Sequence, residues 1–474
     1  MFYRRKPRLV ISSQLAAVAC ILFAVTSVFA ADRRPNILLI AVDDLRDTLG
    51  CYGNLVVKTP NIDRLAERGV RFERAYVQYP VCNPSRTSFL TGLRPDHTGV
   101  TDNTTMMRDK LPDVVTFPQL LKEQGFHSAA FGKIFHLGGG RNASLKANWM
   151  DLPKSWHSAE AFRATETGSR KLAGRNLTDD QLNWCHWGVM DGDDNDPPDG
   201  QIANAVIARI ESLGDQPWII GAGFMKPHDP FVAPMKYFDL YPAGSLKLHR
   251  DPADQTPAPP LAVGFGGYGE AFGKFTDVER LEFLRAYYAC TSFMDAQVGR
   301  VLDTLDRLKL WDNTVVIFLG DHGYHLGDHG LWQKTSLFEK SSRVPLVVVA
   351  PGAGGNGRAA SGLVELVDLY RTLADLAGLA PAVEIEGTSL RPMLENPDRS
   401  VKNYAFTQVR RGYSVRTPQW RYTEWDAGAA GVQLHDITHD VGERTNLASN
   451  PAQAATVAEL RSVLAAYREG RPLP

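Results

Sequence analysis

Cysteine is scarce in this chain of 474 residues: five are present, and one of them, Cys20, lies in an apolar stretch near the N-terminus. The other four, Cys51, Cys82, Cys185 and Cys290, are too widely spaced for a disulfide framework. If Cys82 has chemistry of its own, at most one disulfide can form among the other three. Excess charge is lacking too. With 52 basic against 53 acidic residues there is no global basic field, so nucleic acid is not an expected partner and any anion must be recognised locally. Internal repeats are absent.

The apolar run LVISSQLAAVACILFAVTSV follows the basic MFYRRKPR and precedes Val28-Phe29-Ala30, the pattern of an export signal cut after Ala30. An uncleaved membrane anchor is the competing reading, because the run approaches spanning length. After cleavage no stable membrane association is expected, and the mature chain would be periplasmic or secreted, or lysosomal or lumenal in a eukaryote. About 440 residues then remain, enough for one large domain and a small one.

Short apolar runs alternate with helical patterns, which predicts an α/β fold with a large, mostly parallel sheet flanked by helices. The expected strands are NILLIAV (36–42), HSAAF (127–131), PWIIGAGF (217–224), TVVIFLG (314–320) and PLVVVAP (345–351). Expected helices include NIDRLAERG, TFPQLLKEQG, QIANAVIARIESLG and the long DVERLEFLRAYYACTSFMDAQVGRVLDTLDRL. Segment 137–200, polar and glycine-rich, reads as a long insertion over the sheet, and 241–275 as a second loop; such loops are usually substrate loops or mobile segments. Near residue 399 the pattern changes to short alternating stretches and a final helix, a small antiparallel subdomain. The expected division is therefore 1–30 signal, 31–398 catalytic α/β domain and 399–474 C-terminal subdomain.

Polar residues gather where strands end. NILLIAV runs into Asp43-Asp44, TVVIFLG into Asp321-His322, WIIGAGF into Lys226, His228 and Asp229, and HSAAFG into Lys133 and His136. Open α/β sheets bind ligands beyond the carboxyl ends of their strands. Taken singly, an Asp pair after a strand is more often a helix cap, and a lone lysine or histidine is usually solvated. Four such endings on one edge argue for a site. Three carboxylates suit calcium or magnesium, while His322 by itself favours zinc or manganese. Asp328-His329 is a second histidine-acid pair, farther from its strand end.

VCNPSRTSFLTGLRP places Cys82 at a helix N-terminus, with Pro84 in the first turn and Ser85 or Thr87 available to cap free amides. Such a position stabilises an anion, and Arg86 adds a fixed positive fork. A cysteine phosphatase would need arginine six residues after the cysteine, where Ser88 stands.

With these residues in view, C-x-P-S-R and its continuation resemble the signature of the type I formylglycine-dependent sulfatases, of the alkaline phosphatase-like superfamily. The likeness runs from RPNILLIAVDDLR through LVELVDLYRTLADLAGL to LHDITHDVGERTNLA. Within that family the chain is most similar to the iduronate-2-sulfatase branch, through GKIFH, KPHDPF, MDAQVGRVLDTLDRL and GDHGYHLGDHGLWQKTSLFEKSSRVPL. The resemblance implies oxidation of Cys82 to Cα-formylglycine by a maturation enzyme, and one Ca2+ held by Asp43, Asp44, residue 82, Asp321 and His322. Many other sulfatases have asparagine where His322 stands. It further implies that Arg86 and Lys133 hold the formylglycine, that His136 contacts its hydroxyl, and that His228 and Lys334 contact sulfate and leaving group. The hydrated aldehyde would attack sulfur in line, with His228 first and Lys334 second as candidate proton donor.

The implied substrate is a sulfated oligo- or polysaccharide carrying uronate 2-O-sulfate, with Lys133, His228, Lys334, Lys226 and Trp332 as candidate contacts. Other sulfate esters, such as choline or aryl sulfate, and phosphonate or phosphate esters are the alternatives within enzymes. A non-catalytic, calcium-stabilised glycan-binding protein is a different class; it predicts a broken site, and no expected residue is missing. Sequons at Asn103, Asn142 and Asn176 matter only in a glycosylating host.

Overall fold

A strand as apolar as NILLIAV must be covered on both faces, and the chain wraps it accordingly. The computed structural model describes residues 1, 34–138, 142–182, 185–264 and 273–473. Apart from Met1, the expected signal segment lies outside the described residues, as does most of GFGGYG.

The central sheet has eight strands: β1 (Asn36–Val42), β2 (Val70–Tyr76), β3 (His127–Gly132), β4 (Ser158–Glu160), β5 (Trp218–Phe224), β6 (Thr314–Gly320), β7 (Arg343–Val349) and β8 (Ala359–Glu365). Their order is β8-β2-β7-β6-β1-β5-β3-β4. β1 lies at the centre, parallel to β5 and β6. β7 alone is reversed, antiparallel to both β6 and β2. The chain therefore leaves β6 and re-enters β7 at the same edge of the sheet, so the whole of 321–342 stays beside the ends of the parallel strands.

Side chains alternate along β1. Ile37, Leu39 and Ala41 pack with Phe89, Leu90, Tyr370 and Leu373, from α1 (Cys82–Thr91) and a helix introduced below. On the other face Leu38, Ile40 and Val42 pack with Ile202 and Val206 of α2 (Pro198–Ser212) and Met294 and Val298 of α3 (Asp277–Arg307). Burying each such side chain is worth about 1.5–3 kcal/mol relative to exposure. Thr276 and Glu279 form a capping box that starts the 31-residue α3. Tyr370 and Leu373 belong to α4 (Asp368–Leu376).

The C-terminal meander β9 (Ala405–Val409), β10 (Gly412–Arg416), β11 (Trp420–Trp425) and β12 (Val432–Asp436) is antiparallel throughout. Its inner face, Phe406, Val415, Tyr422 and Leu434, closes on Leu460, Val463 and Leu464 of α5 (Ala454–Arg468). The fold is thus the expected mostly parallel sheet with flanking helices and a small antiparallel sheet.

Segment 137–200 is more regular than an irregular cover. It supplies β4, which extends the main sheet, and strands Lys171–Asn176 and His186–Met190, which join Phe231–Pro234 in a three-stranded sheet. Lys171–Asn176 is exposed along nearly its whole length, so it lacks the apolar alternation that marks a strand in sequence. Cys51, Cys82, Cys185 and Cys290 are all free thiols.

Candidate functional site

β1, β2, β3, β5 and β6 point the same way, and their carboxyl ends converge. Asp43 still pairs across the sheet, its N–H donating to Phe224 O at 3.1 Å. Asp44 then turns to φ 60°. This breaks the alternation of an extended chain and lets successive carboxylates enter one cluster. Its N–H donates to Asp321 Oδ1 at 3.1 Å, and Tyr287 OH from α3 donates to Asp44 O at 2.7 Å.

β2, absent from the sequence expectation, delivers Cys82. VRFERAY contains three charged residues, and its buried positions, Val70, Phe72, Ala75 and Tyr76, break strict alternation where the pairing with β7 shifts register. Cys82 opens α1, yet Val81 at the N-cap offers no side-chain acceptor. Neither Ser85 nor Thr87 caps the helix: Ser85 Oγ donates instead to Asp321 O. The Asn83 N–H is met by Asn103 Oδ1 at 3.0 Å, from a loop twenty residues away.

Arg86 is fully buried and binds the exits of two strands. Its Nε donates to Asp321 Oδ2 at 2.8 Å, and Nη1 donates to the carbonyls of Lys133 and Ile134. Nη2 stands 3.6 Å from Asp43 Oδ1. Lys133 follows Gly132, where φ is 80° and a Cβ would lie 2.2 Å from Gly223 O. Glycine at both positions permits the close approach that places Lys133 Nζ on Asp43 Oδ2. From the β6–β7 segment, Lys334 donates to Asp44 Oδ1 and reaches Cys82 Sγ at 3.3 Å. Its neighbours Gln333 and Thr335 have φ of 99° and 70°, a strain of about 1–3 kcal/mol each that clusters at functional positions.

His322 Nε2 lies 3.3 Å from Cys82 Sγ and 3.3 Å from Asp44 Oδ1. Burial would raise the Cys82 thiol, but Lys133, Lys334 and His322 outweigh it and hold the thiol well below its ordinary value. The surroundings of residue 82 thus favour an anion. His136 is pulled down by burial, against a hydrogen bond with Cys82, and its ring packs edge-on to Trp149 at 5.6 Å. His228 Nδ1 donates to Asp229 O at 2.6 Å, and Nε2 stands 3.9 Å from Asp43 Oδ2. Burial opposes its protonation, yet Asp44, Asp43 and Asp229 push it up to about 10.

Asp43, Asp44, Cys82 and His322 each offer an atom within 4.8 Å of the others. Asp43 Oδ1 and Asp44 Oδ2 are buried without a hydrogen-bond partner, a costly arrangement unless something else meets them. Two orphaned carboxylate oxygens in a cluster that also offers an imidazole nitrogen fit a divalent cation. Asp321 borders this group, and its oxygens already accept from Arg86 and from the Asp44 N–H.

Other candidates are placed elsewhere. Lys226 Nζ donates to the carbonyls of His228 and Pro230, at 2.9 and 2.6 Å. Trp332 is 6 % exposed and packs edge-on to Phe283. Asp328 is bound by Arg46 at 2.8 Å, and His329 stacks on Phe338 at 3.9 Å, so that pair ties loops together. Asp229, beside His228 and Asp44, and Asn103 are the site residues to which the sequence reading gave no role there.

The Sulfatase family model matches residues 35–379, and the model described as N-sulphoglucosamine sulphohydrolase, C-terminal, matches 327–470. Iduronate 2-sulfatase of Mus musculus is 34 % identical over 476 residues, covering 82 % of this chain and 84 % of that protein. Choline-sulfatase of Rhizobium meliloti is 29 % identical over 480 residues, covering 92 % and 87 %. Among solved structures, the phosphonate monoester hydrolase of Agrobacterium radiobacter superposes with a TM-score of 0.75 at 22 % identity, covering 92 % of this chain and 96 % of its own.

Proposed function

Since the chain belongs to the sulfatase family and is a sulfuric ester hydrolase, we propose that it releases inorganic sulfate from uronate 2-O-sulfate in a sulfated oligo- or polysaccharide. The similarity to iduronate 2-sulfatase supports the uronate. In this reading a maturation enzyme converts Cys82 to formylglycine, and Asp43, Asp44, Asp321 and His322, with residue 82, hold one Ca2+. The cation, when bound, supplies charge neutralisation, and the modified residue supplies the oxygen that attacks sulfur. Residues 1–30 act as an export signal, 31–398 as the catalytic domain and 399–474 as the C-terminal subdomain.

The chain's own side chains do the remaining work. Arg86, Lys133 and Lys334 set fixed positive charge around residue 82, where charge gathers on the transferring group. His228, whose protonated form the neighbouring carboxylates favour, donates to the departing sugar oxygen. His136, kept neutral by burial, accepts a proton at residue 82 when sulfate is expelled. The observation that carries this reading is the Cys82 sulfur at a helix N-terminus, 3.3 Å from both Lys334 Nζ and His322 Nε2. The thiol stands in for the oxygens of the modified residue.

The test is sulfate release by protein made in a host that forms formylglycine, with calcium supplied. The panel is a 2-O-sulfated uronate disaccharide, a 6-O-sulfated hexosamine, choline sulfate, and an aryl sulfate beside its phosphate. Release from the uronate, lost in Cys82→Ala, is expected. Preference for another ester would overturn the uronate assignment and leave the chemistry; release that survives in Cys82→Ala would sink the chemistry itself.

A further inference from the structure

β5 ends at Phe224, and the next six residues, MKPHDP, carry His228 between two prolines. Pro227 and Pro230 each follow a cis peptide bond and contribute no N–H. The loop therefore has few donors of its own, and its remaining polar backbone groups need partners from outside.

Two residues supply them. Asp199, 1 % exposed in the first turn of α2, accepts from the N–H groups of Met225 and Lys226 at 2.9 and 2.8 Å. Lys226 folds back along the loop, its Nζ donating to His228 O at 2.9 Å and Pro230 O at 2.6 Å. Inside this clamp the His228 N–H donates to Met225 O at 2.9 Å, and the ring is fixed through Nδ1 to Asp229 O, leaving Nε2 toward Asp43. The ammonium of Lys226 is thus engaged by two carbonyls on either side of the loop tip. Removing it would leave both carbonyls without that donor and free the one segment that carries the imidazole.

We propose that Lys226 and Asp199 are positioning residues that hold the His228 imidazole over the carboxylate cluster, and that Lys226 does not contact the substrate. The inference rests on the reading of His228 as proton donor. It replaces the role in substrate binding that the sequence suggested for Lys226.

Lys226→Met keeps the length of the side chain and removes its donors. On a sugar sulfate, whose alkoxide needs a proton to leave, kcat should fall about 10- to 100-fold, part of the 10²–10⁴ that positioned proton transfer contributes. KM should change less than about twofold, since no ground-state contact is lost. On 4-nitrophenyl sulfate, whose phenolate leaves unprotonated, the loss should shrink to a few-fold. Lys226→Arg should recover part of kcat, and in a His228→Ala background Lys226→Met should cost nothing further. Asp199→Asn, a second and milder variant, should show the same dependence on leaving group.

A raised KM with unchanged kcat would make Lys226 a substrate contact and overturn the proposal. Equal losses on both esters, accompanied by a lower Tm, would overturn it in favour of a merely structural role. Full activity of His228→Ala on the sugar sulfate would remove the proton-donor reading and the inference with it. An inactive His228→Ala beside an unaffected Lys226→Met would remove the inference alone.

Discussion

Two groups of buried acids stand at the same edge of the sheet. Asp43, Asp44 and Asp321 follow β1 and β6; Glu365 ends β8, which runs the same way, and Asp368 comes just after it. All five are at most 1 % exposed, so burial and charge do not distinguish them. Their lone pairs do. Glu365 accepts both Arg94 guanidinium nitrogens at 2.7 and 2.6 Å, Lys402 at 2.9 Å and the Phe406 N–H at 2.9 Å. Asp368 accepts Lys402 at 2.6 Å and the N–H groups of Glu365 and Thr388, both at 2.8 Å. That cluster is closed, and it joins the main sheet to the C-terminal one. At β1 an oxygen of Asp43 and one of Asp44 remain unmet. Glu365 and Asp368, whose partners are all protein groups, are architecture; Asp43 and Asp44, each with an oxygen left over, hold a place for something else, and Asp321, already accepting from Arg86 and the Asp44 N–H, braces them.

The contrast predicts opposite responses. Glu365→Gln leaves Arg94 and Lys402 buried without their full counter-charge, and removing one partner of such a group costs about 3–5 kcal/mol. Urea unfolding should register that loss, while kcat/KM per folded molecule stays within about twofold. The pH dependence has a definite sign. Arg94 and Lys402, against burial, hold Glu365 well below the usual carboxylate range, while Asp368, beside it, is pushed up by burial. The contribution of Glu365 is therefore complete above its unfolded value, near pH 4.5, and is lost as pH falls below that toward the folded value. The variant should lack this part of the acid limb. An unchanged urea midpoint would mean the closed cluster is not structural.

This comparison also separates what the sequence could tell from what it could not. Asp43-Asp44 and Asp321-His322 were visible because they follow apolar runs directly, and strand ends are where open sheets bind ligands. Glu365 closes a strand, AASGLVE, and Asp368 follows it, but exposed Ala359 and Ser361 and the half-buried Gly362 obscure its pattern. The partners that close their cluster, Arg94 and Lys402, are 271 and 37 residues from Glu365, and no local pattern encodes such pairing. β2 was hidden by Arg71, Glu73 and Arg74, which leave the chain charged and interrupt the alternation of its buried residues. The reversal of β7 has no sequence signal, because register and direction follow from the neighbours. For Lys226 and Trp332 residue type indicates what a side chain can bind, and the fold adds that Lys226 Nζ donates to two carbonyls and that Trp332 packs on Phe283.

Metal loading sharpens the contrast from the other side. A divalent cation that meets the open oxygens should stabilise the folded chain by about 2.7 kcal/mol at a hundred times its dissociation constant. Calcium added to chelator-treated protein should raise the Tm. Glu365→Gln should start from a lower Tm and show the same increment, because its cluster offers no vacant oxygen. Asp44→Asn should lose most of the increment. Equal increments in all three proteins would place the stabilising ion elsewhere.

The smallest effect concerns a part of the site that is itself closed. Asn103 Oδ1 caps α1 through the Asn83 N–H, and the Asn83 side chain ties the same loop by donating to the carbonyls of Asp102 and Thr105 at 2.7 and 2.8 Å. Asn103→Ala should cost about 1 kcal/mol, as loss of a cap usually does. Asn103→Asp keeps the acceptor and should recover the stability, but it adds a negative charge at the helix end where Cys82 stands. A helix N-terminus already committed to one anion favours a second less, so Asn103→Asp should lower kcat a few-fold while Asn103→Ala changes it little. Stability and turnover would then separate within a single residue. If both variants lost turnover in proportion to stability, the cap would act on folding alone, and the charge at residue 82 would be met by Lys133, Lys334 and His322 without the α1 N-terminus.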